Sequence, residues 1–299
     1  MLMANEVEKK EIAGKHRHRL YKYLREEVLP TAFCPGCGCG IVLNCFAHAV
    51  DELQIDPKDM VAVTGIGCSS WIPSPYLLVD TLHTTHGRPI PFATGVKVAN
   101  PDKTVVVIAG DGDLIGIGGN HLIHAARRNI DIKVFLVNNL IYGMTGGQVA
   151  PTTPTGIPTA TSPYGNLEHP FEIAELIAAA GATYVTRWTT YHVFPLMESM
   201  QKALTKKGFS FIEIRSPCPT SYGRKIDQKR GSDTMLEYKD SSVRIQDAAK
   251  MSSEELDGKL IIGKFVEKDK EEFTDNLRNL NQKVREEKIG RAPEDWSLS

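Results

Sequence analysis

The amino-acid sequence predicts an α/β fold, a parallel sheet with helices on both faces. Between about residues 31 and 230, short apolar runs rich in β-branched residues alternate with glycine-containing turns and stretches of helical periodicity. Strands that alternate with helices pair in parallel, because each helix carries the chain back across the sheet. Four of the five runs contain few polar residues, as expected of strands buried on both faces. The runs are residues 60–63, 104–108, 133–137, 183–185 and 209–214.

Three stretches between these runs predict the crossover helices, at residues 118–128, 170–180 and 193–206. In the last of them, Phe194, Met197, Met200 and Leu204 recur at helical spacing. Ligands of such sheets bind at the carboxyl ends of the strands. Residues that directly follow the apolar runs are therefore the first candidates for a functional site.

Composition and charge exclude several classes of function. The chain of 299 residues has 35 Lys and Arg against 36 Asp and Glu, which gives no overall attraction to nucleic acid or to an anionic membrane. The opening residues lack the apolar core of a signal peptide, and no later apolar run is long enough to span a membrane. We therefore expect a cytoplasmic protein, in which six cysteines are more plausibly metal ligands or catalytic groups than disulfides.

The ends of the chain differ in composition from its middle. Residues 1–30 form a polar, basic N-terminal arm, in which Leu20, Tyr23 and Leu24 predict a short amphipathic helix. Residues 231–299 form a charge-rich C-terminal extension, for which we predict surface helices. Residues 31–230 are left as the domain that carries the site.

Polar residues follow two consecutive runs of the predicted sheet. Gly110-Asp111-Gly112-Asp113 comes after the run at 104–108, and Asn138-Asn139 ends the next run. Neighbouring strand ends would place Asp111 and Asn139 side by side, where their oxygens can share a hard cation such as Mg²⁺. Gly110 and Gly112 would let the backbone approach a phosphate bound to that ion.

This pairing of Gly-Asp-Gly with Asn-Asn resembles the thiamine diphosphate motif. The resemblance implies that Asp111, Asn139 and the backbone oxygen of Ile141 hold magnesium and diphosphate. A dinucleotide-binding fingerprint through Gly116, Gly118 and Gly119 is the rival interpretation, and it fails because the glycine spacing is wrong.

The cysteines form a second candidate site. Cys34-Pro35-Gly36-Cys37 supplies a close pair of thiolates, and Cys68 and Cys218 follow predicted strands at the same edge of the sheet. Four thiolates can bind zinc or an iron–sulfur cluster, and spacing alone leaves both possible. One close pair with two isolated cysteines favours a cluster beside a catalytic centre. Cys39 and Cys45 are predicted to be buried free thiols.

The motifs together resemble the beta subunit of 2-oxoacid:ferredoxin oxidoreductases over roughly residues 31–230. The resemblance rests on their order along the chain: CPGCG from Cys34, GIGCS from Gly65, HGR from His86, ATG from Ala93, GDGD from Gly110 and YGMTGGQ from Tyr142. It implies the thiamine-diphosphate-binding fold of the pyrophosphate-binding type and a 4Fe-4S cluster on Cys34, Cys37, Cys68 and Cys218. It also implies a catalytic role for His86, and cofactor contacts at Ile66, Gly67, Cys68, Ser69, His86, Gly112, Asp113, Gly143, Met144 and Thr145.

The resemblance further implies a hetero-oligomeric enzyme. In this family a larger alpha subunit carries the activating glutamate and the pyrimidine-binding half of the site, so we expect a dimer of heterodimers. The 2-oxoacid is decarboxylated, coenzyme A takes the acyl group and ferredoxin takes the electrons. The sequence looks closest to the 2-oxoglutarate branch.

Contacts to substrate and carrier are less defined. A second substrate carboxylate would need a cation, for which Arg88, Lys97 and Arg224 are candidates. Trp71 stands where some broad-specificity members carry a basic residue, so their substrate contacts do not transfer. Arg224 and Lys225 could face an acidic ferredoxin or serve only solubility.

Two alternative functions remain at this stage. In a non-redox thiamine decarboxylase, the diphosphate site would work while the cysteines bind zinc or nothing. A zinc-knuckle module that binds a nucleic acid or a partner would use Cys34 and Cys37. It leaves the Gly-Asp-Gly and Asn-Asn pairing unexplained, and the charge balance does not support it.

Overall fold

The computed structural model describes residues 18–289, with side chains to residue 287. Its centre is an eight-stranded sheet in the order β2-β1-β3-β4-β6-β5-β8-β7. The strands are β1 (Met60–Thr64), β2 (Asp80–His83), β3 (Thr104–Gly110), β4 (Lys133–Asn138), β5 (Tyr184–Thr189), β6 (Ser210–Arg215), β7 (Ser242–Arg244) and β8 (Leu260–Glu267).

Strands β1 to β6 are all parallel, as the sequence predicts. In particular β3 and β4 are neighbours, with Gly110 opposite Val137, so that Asp111 and Asn139 leave the sheet at the same edge. Strand β8 is the exception, because it pairs antiparallel with β5, and β7 then pairs parallel with β8.

Helices cover both faces of the sheet, which confirms the predicted architecture. The helices are α1 (Cys39–Glu52), α2 (Pro89–Ala99), α3 (Gly119–Arg128), α4 (Ile173–Ala179), α5 (Val193–Thr205), α6 (Gly231–Ser241), α7 (Ile245–Ala248), α8 (Ser253–Leu256) and α9 (Phe273–Ile289). Successive residues of β3 point to opposite faces. Val106 packs in the core beneath α1 and α5, while Val107 packs in the core beneath α2, α3 and α4.

Several elements differ from the prediction. Helices α1 and α2 and strands β2, β7 and β8 were not predicted. Strand β2 lies at the sheet edge with mostly exposed side chains, so it has no apolar run to reveal it. Strand β8 is interrupted by Gly263, and its pairing with β5 contains a register shift, both of which obscure the period of two.

The prediction for the two ends of the chain is therefore incomplete. The extension from residue 231 contains the expected helices and also adds β7 and β8 to the sheet of residues 31–230. In the N-terminal arm a short 3₁₀ helix (Arg19–Tyr23) buries Leu20 and Tyr23 against the body, while the arm's first 17 residues lie outside the described part. None of the helices described within residues 18–289 is long and apolar enough to cross a membrane.

Candidate active site

A cavity of about 260 Å³ opens at the carboxyl ends of β1, β3 and β4. The residues predicted to contact the cofactor all lie in its wall: Ile66, Gly67, Cys68, Ser69, His86, Gly112, Asp113, Gly143, Met144 and Thr145. The predicted magnesium ligands Asp111, Asn139 and Ile141 line it as well. The structure therefore brings together residues that are up to 79 positions apart in the sequence, from Ile66 to Thr145.

Asp111 is buried at the base of the cavity, only 3% exposed. Burial raises the pKa of its carboxyl group to about 6, although a hydrogen bond from the Thr152 hydroxyl acts in the opposite direction. A carboxylate held this way carries charge at neutral pH with little neutralisation from nearby protein groups. It is suited to a cation that arrives with a ligand.

The turn after β4 orients the other oxygen donors. Leu140 has a φ of +65°, a left-handed conformation that is unusual for a branched residue and costs about 1–3 kcal/mol. Its amide donates to Asn138 Oδ1, and the amide of Ile141 donates to Asn139 Oδ1 at 3.3 Å. The turn thereby places Asn139 and the Ile141 carbonyl in the cavity wall.

A buried ion pair supports this turn from below. Asn138 Nδ2 donates to Glu213 Oε1 at 2.8 Å, and the other oxygen of Glu213 accepts from Arg187 Nε at 2.7 Å. Burial alone would raise the pKa of Glu213, but Arg187 and Arg215 lower it below its ordinary value. Arg187 also donates to the carbonyl of Ile261 in β8, so the C-terminal extension reaches the support of the site.

Two glycines are required by the close packing around the cavity. A Cβ on Gly112 would stand 2.2 Å from the ring of Tyr142, whose hydroxyl donates to the Gly112 carbonyl. A Cβ on Gly65 would stand 1.9 Å from the Asp113 carboxylate. Any larger residue at either position would displace the wall of the cavity.

Asp113 and His86 form a pair on one side of the cavity. Asp113 Oδ1 accepts from the amide of Gly87 and lies 2.7 Å from His86 Nδ1. Burial raises the pKa of Asp113, and its Oδ2 has no hydrogen-bond partner within the described residues. This second oxygen packs against Gly65, and His86 lies beside the carboxylate with 38% of its side chain exposed.

The predicted cluster cysteines lie together next to this cavity. The amide of Gly38 donates to the carbonyl of Pro217, which packs the Cys34–Cys37 loop against the segment before Cys218. A Cβ on Gly143, in the cavity wall, would lie 3.4 Å from Cys218 Sγ. Cys68 lines the cavity as well. Burial, and after it the negative charges of the nearby Cys37, Cys218 and Cys34 thiolates, raises the pKa of Cys68 to about 11.

The remaining two cysteines are buried in α1, as predicted. Cys45 is fully enclosed in the core, where burial raises its pKa to about 12. Cys39 is closer to the cluster cysteines, and a hydrogen bond between its thiol and Cys37 lowers the pKa of Cys37 to about 7. Cys39 thus stabilises a thiolate at Cys37 without being exposed itself.

Within residues 18–289, no set of three or more His, Cys, Asp or Glu side chains is arranged to hold a single metal ion. The predicted magnesium site uses an amide, a backbone carbonyl and one carboxylate, and is not such a set. An iron–sulfur cluster is larger than one ion, so its four thiolates stand farther apart than the ligands of zinc. A cluster on the four cysteines therefore stays a prediction.

Some residues of the site carried no signal in the sequence. Thr152, which donates to Asp111, lies in a polar loop rich in threonine and proline, and Arg187 and Glu213 lie within strands. The prediction that Lys97 binds the substrate carboxylate was wrong, because this lysine pairs with Asp131 at the opposite edge of the sheet. Arg88 directly follows Gly87 beside the cavity, whereas Arg224 is exposed on the segment after Cys218.

Comparisons with known proteins show the family to which this chain belongs. Residues 65–214 match the family described as thiamine pyrophosphate enzyme, C-terminal TPP binding domain. The chain is 53% identical over 270 residues to 2-oxoglutarate synthase subunit KorB of Methanocaldococcus jannaschii, covering 90% of this chain and 100% of that one. It is 45% identical over 263 residues to the subunit of the same name from Archaeoglobus fulgidus, covering 88% and 94%.

A solved structure is similar over nearly the whole fold. The 2-oxoglutarate:ferredoxin oxidoreductase from Magnetococcus marinus, with 2-oxoglutarate, coenzyme A and succinyl-CoA bound, aligns with a TM-score of 0.79 at 31% identity. The alignment covers 93% of this chain and 97% of that one. On these grounds the chain belongs to the KorB family, the beta subunits of 2-oxoacid:ferredoxin oxidoreductases, and contains its thiamine pyrophosphate binding domain.

Proposed function

We propose that this chain is the beta subunit of a coenzyme A-dependent 2-oxoglutarate:ferredoxin oxidoreductase, which uses thiamine diphosphate, Mg²⁺ and one 4Fe-4S cluster. The observation that carries the proposal is the position of Cys68, which lines the cavity of Asp111 and Asn139 and also lies among the other cluster cysteines. One residue thus adjoins both the predicted diphosphate pocket and the predicted cluster.

The cofactor would be held by groups already described. Asp111, Asn139 and the carbonyl of Ile141 would bind Mg²⁺, and the backbone of Gly112, which lines the cavity while the Tyr142 ring packs where its side chain would be, would face the diphosphate. When bound, thiamine diphosphate supplies the electron sink for decarboxylation of a 2-oxoacid. The Thr152 hydroxyl and the turn at Leu140 would keep the oxygen ligands in place.

His86 is the proposed catalytic residue. Its Nδ1 lies 2.7 Å from Asp113 Oδ1, and the residue lines the cavity. We assign it the role of holding or moving a proton at the bound cofactor or substrate. Arg88, two residues further on, is the proposed partner of the distal carboxylate of 2-oxoglutarate, because Lys97 is committed elsewhere.

The cavity needs a partner to close it. Ile66 and Met144 are 45% and 48% exposed in its wall, which is a high exposure for apolar side chains at a cofactor site. We assign this surface to a larger alpha subunit that supplies the pyrimidine-binding half, in a dimer of heterodimers. Coenzyme A would take the acyl group and ferredoxin the electrons, in line with the substrates bound in the Magnetococcus enzyme and with its name.

The decisive experiment co-purifies this chain with its larger subunit in the absence of oxygen. We expect a brown complex with about four iron atoms per chain, which reduces a one-electron dye when given 2-oxoglutarate and coenzyme A. Pyruvate and a branched 2-oxoacid, assayed in parallel, test the choice of substrate. Equal rates with all three acids would refute 2-oxoglutarate as the specific substrate.

The same preparation separates the proposal from a non-redox decarboxylase. A colourless complex with zinc that decarboxylates without reducing the dye would refute the oxidoreductase. The curated relatives weigh against that outcome, since one of them, 43% identical over 198 residues, is the 2-oxoglutarate oxidoreductase subunit KorB of Mycobacterium tuberculosis.

A further inference from the structure

The group of four cysteines has an inner and an outer side. Cys68 is on the inner side, where it lines the cavity, whereas Cys34 is the exposed member of the group and the other three are partly buried. Cys34 is therefore the member of the group that a protein partner can reach most easily. What surrounds Cys34 on the surface therefore decides which molecules can approach.

The segment from Cys218 to Gly231 connects a predicted cluster cysteine to the Cys34–Cys37 loop. At its start, the amide of Gly223 donates to the carbonyl of Cys218 at 2.9 Å. At its end, Gly231 packs directly on Gly36 of the Cys34–Cys37 loop, so closely that a Cβ on Gly231 would stand 2.2 Å from the Gly36 carbonyl. Both ends of the segment are thus fixed to loops that carry cluster cysteines.

This segment is strongly basic, although the whole chain has a net charge of −1. Its cations Arg224, Lys225, Lys229 and Arg230 are all exposed. The segment's Asp227 pairs with Lys229 at 3.6 Å, and Asp233, just beyond it, pairs with Arg230 at 3.0 Å. Within residues 18–287, Arg224 and Lys225 have no ion-pair partner, so two positive charges on this segment, which begins at Cys218, are left uncompensated.

We propose that Arg224, Lys225, Lys229 and Arg230, together with exposed Cys34, form the docking surface for an acidic one-electron carrier protein. We call this surface the exit face. The inference deepens the proposed function and rests on it. Charge complementarity favours an acidic carrier at the exit face, because a cationic surface attracts an acidic protein and orients it.

The reaction requires such a carrier to dock twice in each turnover. One 2-oxoacid carboxylate and one coenzyme A thiol yield acyl-coenzyme A, carbon dioxide, one proton and two electrons. A one-electron carrier accepts only one of these electrons at a time, so two carrier molecules are reduced in succession. Rapid release is then as important as binding, and long-range attraction by exposed charges gives fast exchange.

The test uses the complete complex with the double variant Arg224→Glu/Lys225→Glu. We expect the KM for an acidic ferredoxin and the Kd of the ferredoxin complex to rise at least tenfold at low ionic strength, because attraction becomes repulsion. Raising the salt concentration should shrink the difference between variant and wild type. The KM for a small neutral one-electron dye should stay the same, because a dye needs no oriented docking.

The matched control is Lys283→Glu/Arg285→Glu, which makes the same charge change on exposed residues of α9. It should leave both ferredoxin constants unchanged. If the reversed variant loses dye reduction through damage to the fold, Arg224→Gln/Lys225→Gln serves in its place with a smaller expected rise, about threefold.

An unchanged ferredoxin KM and Kd in a variant that still reduces dye would overturn the exit face, and would leave the proposed function intact. A wild-type complex that fails to reduce dye would instead refute the proposed function.

Discussion

Both edges of the sheet bury carboxylates, but only the amino-terminal edge pairs its buried carboxylate with lysines of the same chain. At the amino-terminal edge, Asp131 accepts from Lys97, Lys133 and the amide of Gly208, and Lys133 donates further to backbone carbonyls. At the carboxyl edge, Asp113 Oδ2 has no hydrogen-bond partner within the described residues, and Asp111 has no lysine or arginine in contact with it there.

The difference distinguishes structural charges from functional ones. Burial alone would raise the pKa of Asp131, but Lys133 and Lys97 outweigh it and lower that pKa below its ordinary value. For Asp111 the effect of burial exceeds that of the hydrogen bonds to its carboxylate, so its pKa rises to about 6. A buried charge that is paired within the chain stabilises the fold, whereas one left without its counterion is suited to a ligand. The predictions below test this contrast.

The largest effect is expected from Cys68→Ser at the carboxyl edge. Because Cys68 is a proposed cluster ligand, the variant complex should lose most of its iron and its dye reduction. Iron content and visible absorbance of the anaerobically purified complex measure this. Cys39→Ser is the matched control, since Cys39 is predicted to bind no iron and its variant should keep the iron of the wild type. Equal iron in both variants would remove Cys68 from the cluster.

At the amino-terminal edge, Asp131→Asn should cost about 3–5 kcal/mol of stability, because Lys97 and Lys133 then remain buried without a counterion. Chemical denaturation measures the change. The pKa of Asp131 is lowered in the folded state, so its contribution is present at neutral pH and is lost as the pH falls through that lowered value.

A matched control is Asp269→Asn, which removes a fully exposed partner of Lys206 and should leave the stability close to that of the wild type. If Asp131→Asn also weakened cofactor binding in a complex that remains folded, the division of roles between the two edges would be wrong.

Asp111→Asn should weaken cofactor binding and leave the stability almost unchanged, which is the reverse of what Asp131→Asn should do. We expect binding of magnesium and thiamine diphosphate to the complex to weaken about 100-fold, roughly 2.7 kcal/mol, since a neutral amide is a poorer ligand. Stability without cofactor should stay within about 0.5 kcal/mol of wild type, because the variant removes a buried charge that has little compensation. Calorimetric titration and thermal unfolding measure the two quantities, with exposed Asp257→Asn as control. A large loss of stability would contradict the comparison.

The smallest effect is expected from Thr152→Val, which deletes the hydroxyl that donates to Asp111. Residues that orient a metal ligand typically contribute about 10- to 100-fold to metal affinity, and we expect the lower end because Asp111 itself remains. Thr155→Val is the control, since its hydroxyl donates to the Glu168 carbonyl in the same loop, away from Asp111. Equal affinities for the two variants would show that Thr152 does not position the carboxylate.

How well each element could be predicted depended on how local its signal was. Strands β3 and β4 are continuous apolar runs buried on both faces, so composition alone reveals them. Strand β8 is only partly buried and is broken by Gly263. It is ordered by pairing with β5, whose paired residues lie 76 to 83 positions earlier in the chain. A window of sequence does not contain that partner, which is why the extension was expected to form helices alone.

The sequence by itself determined the α/β fold, the edge of the sheet that carries the site, and the chemistry of the ligands. It could do so because apolar periodicity and the Gly-Asp-Gly, Asn-Asn and cysteine motifs are local patterns whose residue types restrict what they can bind. Only the tertiary structure decided that Thr152 supports Asp111, that Lys97 belongs to the opposite edge, and that a basic segment ends against the Cys34–Cys37 loop. These contacts join residues distant in the chain, and the folded packing alone determines which distant groups meet.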